Sequence, residues 1–271
     1  HAYVDLSPGQ DFEAEIFCKD NSAEVLRDTL RKPGYRCRPL VIGPATDPYQ
    51  PVERERLITR EILQVLAECR HPFSLITKSA LVLRDLDLIA PMAVEGRASV
   101  AVSVTTLDNR LKNQLEPRAS GGRERLKTVR ELARAGVPVT VLVAPLIPFI
   151  NDQELEDIVE QVAAAGARSA GYVALRLPHE VGPLWEEWLQ RHYPERAERV
   201  MSALKEMHGG ASYDSRWHHR QRGQGPMAEL LARRFQVACQ RHGLAPRESF
   251  TLDSSAFRPP GLAGQMHLWE A

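Results

Sequence analysis

The stretch Leu40-Val41-Ile42-Gly43-Pro44-Ala45-Thr46-Asp47-Pro48-Tyr49-Gln50-Pro51-Val52-Glu53 holds one full step of a repeating plan. Leu40-Val41-Ile42 reads as a short buried strand. Gly43-Pro44 stops it, because proline has no amide to donate to a sheet ladder and glycine frees the turn. Thr46, Asp47, Tyr49, Gln50 and Glu53 follow, and a helix is expected from about Arg54. In a barrel of parallel strands, chemistry sits in the turn after a strand. The strand fixes the backbone there, and the loop is free to vary. Taken alone, the stretch also reads as a proline-rich turn before a helix N-terminus that favours acids. Its recurrence after later strands argues for the functional reading.

Working outward, the same alternation extends in both directions. Upstream, residues 12–18 alternate imperfectly and suggest an edge strand. Asn21-Ser22 caps a helix to about Arg31, with Val25, Leu26 and Leu30 on one face. Downstream, a helix is expected over 55–69, then a strand over 73–77 ending at Lys78-Ser79. A helix over 83–94 and a strand over 99–104 follow. A long polar loop leads to a helix over 123–135, closed by Gly136. A strand over 137–143 ends at Ala144-Pro145. Asn151-Asp152-Gln153-Glu154 has the form of a capping box for a helix to about Ala165. The last clear strand spans 169–175.

Short apolar strands alternating with amphipathic helices mean a parallel sheet with right-handed crossovers. An open doubly wound sheet fits that alternation. A partial barrel fits better, because polar groups follow several successive strands rather than one switch point. The alternation ends near Pro178. The expected division is a barrel over 1–178, a helical extension over 179–247 and a tail over 248–271. In the extension, helical stretches are expected over 184–191, 195–207 and 226–241.

Composition narrows the class. The chain has 271 residues, with 35 Lys+Arg against 35 Asp+Glu, so no global field points to nucleic acid or a membrane surface. No apolar run reaches about 18 residues, the length a membrane helix needs. The four cysteines, Cys18, Cys37, Cys69 and Cys239, are scattered. None lies in a CxxC or CxxxCxxC metal motif, and their dispersion suggests a reducing, cytoplasmic setting.

The strand ends are Thr46-Asp47-Pro48-Tyr49, Thr77-Lys78-Ser79, Ser103-Val104-Thr105-Thr106, Pro145 and Leu175-Arg176. Parallel strands bring such ends to one rim, where hydroxyls, a carboxylate and an ammonium suit a small polar ligand. Each residue alone also has an ordinary reading, Lys78 as a solvated helix-start lysine and Ser103 and Thr105 as strand fillers. Glu116-Pro117-Arg118-Ala119-Ser120-Gly121-Gly122-Arg123 is the second informative stretch. Its glycines permit close backbone approach before a helix N-terminus.

These stretches, in this order and together with Ala144-Pro145-Leu146-Ile147-Pro148-Phe149-Ile150-Asn151-Asp152, resemble the radical S-adenosylmethionine (SAM) superfamily. Within it the chain is similar to the spore photoproduct lyase-related branch of uncharacterised bacterial proteins. The likeness covers about residues 1–180, plus Gln265-Met266-His267-Leu268. It implies a partial (β/α)6 barrel that holds a [4Fe-4S] cluster and SAM. It also implies reductive cleavage of SAM to methionine and a 5′-deoxyadenosyl radical, which abstracts hydrogen from a substrate. An electron donor such as flavodoxin or ferredoxin is implied as partner. By position, Thr46 and Asp47 fall near the SAM amine, Lys78 near its carboxylate, and Ser103 and Thr105 near its ribose. Glu116 and Arg118 complete the pocket, and Tyr49 and Gln50 are candidates on the substrate side.

The chain departs from the family pattern in two places. It lacks the CxxxCxxC loop that holds the cluster. The chain starts at His1 without a methionine, so the expectation is an N-terminally truncated fragment, inactive alone, with that loop upstream of His1. The lyase also uses a cysteine beside the second-strand end, where this chain has Gly43-Pro44-Ala45-Thr46, which argues against photoproduct repair. Two other readings stay open. Lys78 suits a Schiff-base amine in a barrel aldolase, given desolvation. Arg216-Trp217-His218-His219-Arg220-Gln221-Arg222-Gly223 is basic with an aromatic, and suits contact with nucleic-acid phosphates and bases.

Overall fold

The computed structural model describes residues 15–210, 221–246 and 251–261. All six strands are parallel and lie in strict chain order, β1 to β6. They are β1 (Leu40–Ile42), β2 (Phe73–Thr77), β3 (Ala98–Ser103), β4 (Val139–Leu146), β5 (Ser169–Ala174) and β6 (Ala245–Pro246). A doubly wound sheet reverses its strand order at a switch point. This sheet has no reversal, as a barrel wall requires, and among the described residues the first and last strands are not paired, which leaves the barrel open there. β6, a two-residue strand after the last helix, was not expected; it pairs with β5 through Ser169 and Ala170.

The expected strands 40–42 and 73–77 coincide with β1 and β2, and 99–104 is displaced by one residue. β4 runs past the expected Val143 to Leu146, where it pairs with Ala174 after a register irregularity. The irregularity lies at the rim, among the residues that bear the loop carrying Asn151. Phe73, Leu75, Val100, Val102, Val139, Val141 and Val143 alternate onto the helix-facing side and form the main core. The other face carries Ser74, Ser99, Ser103, Thr140 and Ser169, as the two-residue period of a strand demands.

The helices are α1 (Ser22–Arg31), α2 (Ile58–Glu68), α3 (Leu86–Val94), α4 (Asn109–Leu115), α5 (Gly122–Arg134), α6 (Leu155–Ala164), α7 (Val181–His192), α8 (Pro194–Met207) and α9 (Gly225–Arg241). Five local expectations need correction. The helix expected over 55–69 is broken at Leu57, whose φ of 58° lies in the left-handed region. A single turn, Glu53–Arg56, precedes the break. Glu53 then folds back and accepts the Thr59 amide at 2.8 Å, capping α2. The helix expected over 83–94 begins earlier, as a 3-10 turn over Ala80–Asp85 that is capped by the Ser79 hydroxyl. The loop expected after β3 contains α4, capped by Asp108. The fourth correction is the capping box at Asn151, whose side chain makes no cap and bonds into the rim instead. Upstream, residues 15–18 form no strand, and residues 12–14 lie outside the described residues.

α7 and α8 build a second core with Leu111 of α4 and with Ile147 and Ile150 of the loop after β4. Trp188 donates its indole N–H to the Gln114 carbonyl at 3.1 Å, and the Tyr193 hydroxyl donates to the Gln114 side chain at 3.1 Å. The extension therefore sits on loops that leave β3 and β4. Residues 251–261, expected as tail, lie along the other end of the strands. The Arg258 amide bonds the Cys69 carbonyl at 2.9 Å, and Phe257 meets the rings of Tyr35 and His71. No helix among the described residues is long and apolar enough to cross a membrane.

Candidate active site at the carboxyl ends of the strands

Gly43 opens the rim. Its φ is +88°, and a Cβ there would stand 2.3 Å from the Ile76 carbonyl oxygen and 2.7 Å from Pro48. Only a residue without a Cβ lets the loop cross the end of β2 this closely. Asp47 then fastens the crossing. Its Oδ1 accepts the Tyr49 amide at 2.9 Å and the Thr77 hydroxyl at 2.7 Å, and its Oδ2 accepts the Lys78 amide at 2.7 Å. Two oxygens offer about four acceptor sites, so one site on Oδ2 stays open. Thr46 beside it is exposed.

The structure joins Lys78, Thr105 and Glu116 directly. The Lys78 ammonium is ion-paired with Glu116 Oε1. The Thr105 hydroxyl lies 3.1 Å from both Glu116 oxygens and 2.9 Å from the Ala144 carbonyl. Ser103 is buried at the end of β3. Arg118 is exposed at the turn after Glu116. Burial alone would raise the Glu116 carboxyl, but Lys78 and then Arg125 outweigh it and hold the group below the usual glutamate range.

Tyr49 does not reach the rim. It is 2 % exposed, and its hydroxyl donates to Asp85 at 3.0 Å. Burial first and Asp85 second push its phenol far above the ordinary tyrosine value. Gln50 is half-buried, with its carbonyl accepting the Glu53 amide. Tyr49 belongs to the support of the loop, and Gln50 joins it through its backbone carbonyl. Beneath them Asp85, fully buried, accepts from Tyr49, from Arg84 and from Arg60. Arg84 also donates to the Glu53 carbonyl at 2.6 Å. This network ties Tyr49 and Glu53 of the loop to the turn before α3.

Two rim residues were missed by motif reading. Arg125 is 2 % exposed and Asn151 fully buried. Asn151 accepts the Ile147 amide at 2.7 Å and donates to the carbonyls of Thr105 at 2.7 Å and Pro145 at 2.9 Å, tying β3 to the loop after β4. Glu154 accepts from the Thr106 hydroxyl at 2.5 Å and the Leu107 amide at 2.7 Å. The signal for Arg125 was present: it shares a helix face with Thr128, Val129 and Leu132, all buried. A charged residue on an apolar helix face points inward.

For the basic stretch, residues 216–220 lie outside the described residues. The Gln221 carbonyl accepts the Ala174 amide, and the Arg222 guanidinium lies 6.0 Å from the Tyr172 ring centre. The Schiff-base reading loses its support, since Lys78 is paired with a carboxylate rather than held as a desolvated, unpaired amine.

A sequential parallel sheet with a polar rim at its carboxyl ends defines a partial barrel of the enzyme-bearing type. The family model of the radical SAM superfamily matches residues 14–162, more than half of the chain, and the chain belongs to that superfamily. An uncharacterised protein of Mycobacterium tuberculosis is 36% identical over 201 residues, 73% of this chain and 59% of that protein. The chain thus spans 59% of the length of this mycobacterial relative. The sporulation killing factor maturation protein SkfB of Bacillus subtilis is 40% identical over 72 residues, 27% of this chain and 17% of that protein. Among solved structures, a spore photoproduct lyase mutant with bound AdoMet and dinucleoside spore photoproduct is similar in fold. Its TM-score is 0.55 at 14% identity, covering 87% of this chain and 72% of that one.

Membership implies SAM and an iron–sulfur cluster, and the two fit this chain differently. The rim's ammonium, carboxylates and hydroxyls suit a zwitterion joined to a ribose. The cluster does not fit. No group of three or more His, Cys, Asp or Glu side chains among the described residues is placed to hold a metal. Cys69 and Cys239 are buried apart, with burial pushing both thiols up to about 11, whereas iron ligands must be thiolates. Anaerobic reconstitution of this chain with iron and sulfide is therefore expected to give no cluster absorption band. A stoichiometric cluster would show that the four cysteines regroup.

Proposed function

We propose that this chain forms the SAM-binding rim of a radical SAM enzyme. The observation that supports it is the convergence of Asp47, Lys78, Thr105 and Glu116 on one rim, at the ends of three adjacent strands. SAM carries an amino-acid zwitterion, a sulfonium and a ribose. Lys78 is assigned to its carboxylate and the open acceptor site of Asp47 to its ammonium. Thr46 lies beside that site. Ser103, Thr105 and Glu116 are assigned to the ribose hydroxyls, and Arg118 to the mouth of the pocket. For the whole protein we infer reductive SAM cleavage at a [4Fe-4S] cluster, fed by a reductant such as flavodoxin or ferredoxin and directed at an unidentified substrate. In this reading the chain's own residues bind and orient SAM.

Calorimetric titration tests this reading. Lys78→Met is expected to weaken SAM by about one to two decades, from the loss of a charge-assisted bond of about 1.5–3 kcal/mol. Methylthioadenosine, which lacks the amino-acid group, should bind the variant as it binds the parent. Equal SAM affinity in parent and variant would overturn the assignment of Lys78.

A further inference from the structure

Glu116 has two cationic partners of different kinds. Lys78 reaches it on a flexible stem from the end of β2, and its side chain is 34% exposed. Arg125 reaches it from α5 and its side chain is 2% exposed. The guanidinium is committed in four directions. Nε donates to the Ser120 carbonyl at 2.8 Å and Nη1 to the Ser103 carbonyl at 3.0 Å. Nη1 also lies 3.4 Å from the Thr105 hydroxyl oxygen, and Nη2 donates to Glu116 Oε2 at 2.6 Å. One planar cation thus joins the end of β3, the loop after α4 and the start of α5. Gly122 allows α5 to come this close, since a Cβ there would stand 2.7 Å from the Thr106 carbonyl oxygen.

The Lys78–Glu116 pair is an ammonium and a carboxylate held together at the rim, the same two groups that an amino-acid zwitterion presents. A ligand carboxylate that takes Lys78 leaves Glu116 Oε1 free to accept from a ligand hydroxyl, with Arg125 as the cation that remains on Oε2. That exchange keeps every charge paired only if Glu116 stays where it is. A buried carboxylate left without a cation is strongly disfavoured. We propose that Arg125 is the positioning residue of this rim: it holds Glu116 as an ionised acceptor while Lys78 turns from Glu116 to the ligand. This rests on the SAM reading above and extends it to a residue that touches no ligand.

The test uses the full chain and two readouts. The first is the titration of the Glu116 carboxyl by carbon-13 NMR without ligand, assigned with Glu116→Gln. The groups facing Glu116 are Lys78 from the end of β2 and Arg125 from α5, with the Thr105 hydroxyl between them. Arg125→Gln should move the midpoint upward by about one unit or more, because a cation within contact distance shifts a carboxyl by that amount. Arg125→Lys should return part of the shift, and it serves alone if the glutamine variant does not fold. The second readout is affinity for SAM, expected to fall about tenfold or more in Arg125→Gln, with partial rescue in Arg125→Lys. An unmoved Glu116 midpoint overturns the proposal whatever happens to SAM. A moved midpoint with unchanged SAM affinity also overturns it. If the parent chain binds no SAM while the midpoint moves, the SAM reading fails and the anchoring of Glu116 by Arg125 stands.

Discussion

Replacing Asp85 with alanine is expected to remove about 3–5 kcal/mol of folding stability, read by chemical denaturation at neutral pH. The carboxylate is fully buried and meets Tyr49 at 3.0 Å, Arg60 at 2.9 Å and Arg84 at 2.9 Å through both of its oxygens. Removing it leaves two guanidinium groups with less negative charge around them and a buried phenol without its acceptor. Each of those is more costly than the lost contact alone, because a buried polar group without a partner keeps its full desolvation cost. Burial would raise the Asp85 carboxyl. The hydrogen bonds from Arg84, Arg60 and Tyr49 outweigh burial and hold it below the ordinary aspartate value. The pH dependence follows in sign. A carboxyl depressed on folding stabilises fully above its unfolded value and loses that contribution as pH falls through its folded value. The gap between parent and Asp85→Ala should therefore be widest near neutral pH and close in acid. A variant within about 1 kcal/mol of the parent at neutral pH would show that Arg84 and Arg60 are held by other groups.

The effect should reach the rim. Arg84 also grips the Glu53 carbonyl, and Glu53 caps α2. Asp85 thus stands beneath the loop that carries Asp47. Glu53 was legible in the sequence only as an acid near a helix start. The reason it is buried lies in Arg84 and Asp85, both inside a stretch that reads as ordinary amphipathic helix.

That contrast runs through the molecule. The strands were legible because each is a short apolar run bounded by glycine, proline or a polar cluster. Their order was legible because polar groups recur after successive strands. Lys78 and Thr105 were legible from their positions after β2 and β3, and Glu116 joined them through the family resemblance. What they do to one another was not, because the Lys78–Glu116 pair spans 38 positions and depends on where α4 carries the chain. Asn151 shows the limit most clearly. It has the residue type and spacing of a helix cap, and the local rule assigns its side chain to the amides of α6. The buried carbonyls of Thr105 and Pro145 need donors, and that requirement outweighs one cap. β6 gave no signal, since two residues ending in proline carry no period.

Asp47 is where the rim's support and its proposed ligand contact meet, and Asp47→Ala should affect both. Three hydrogen bonds are lost, to the amides of Tyr49 and Lys78 and to the Thr77 hydroxyl. The site is part-buried, so water replaces some of them, and the expected loss of stability is about 1.5–3 kcal/mol, the range for bonds to a charged acceptor. The Lys78 amide loses its acceptor at the same time, and with it the fixed start of the Lys78 side chain. SAM affinity should fall by about one to two decades, since each 1.4 kcal/mol or so is tenfold. Asp47→Asn separates the contributions. The amide oxygen can still accept from Tyr49 and Thr77, while the amide nitrogen offers neither an acceptor for Lys78 nor a charge for a ligand ammonium. The amide NH2 also faces the Lys78 N–H, donor against donor, so Asp47→Asn is expected to keep only part of the stability and to lose most of the SAM affinity, with methylthioadenosine binding little changed. Thermal melts beside calorimetric titrations decide it. A lowered melting temperature with unaltered SAM affinity would reduce Asp47 to a pin between the first loop and the end of β2. An equal loss for SAM and methylthioadenosine would place its effect on the shape of the rim rather than on the amino-acid end of the ligand.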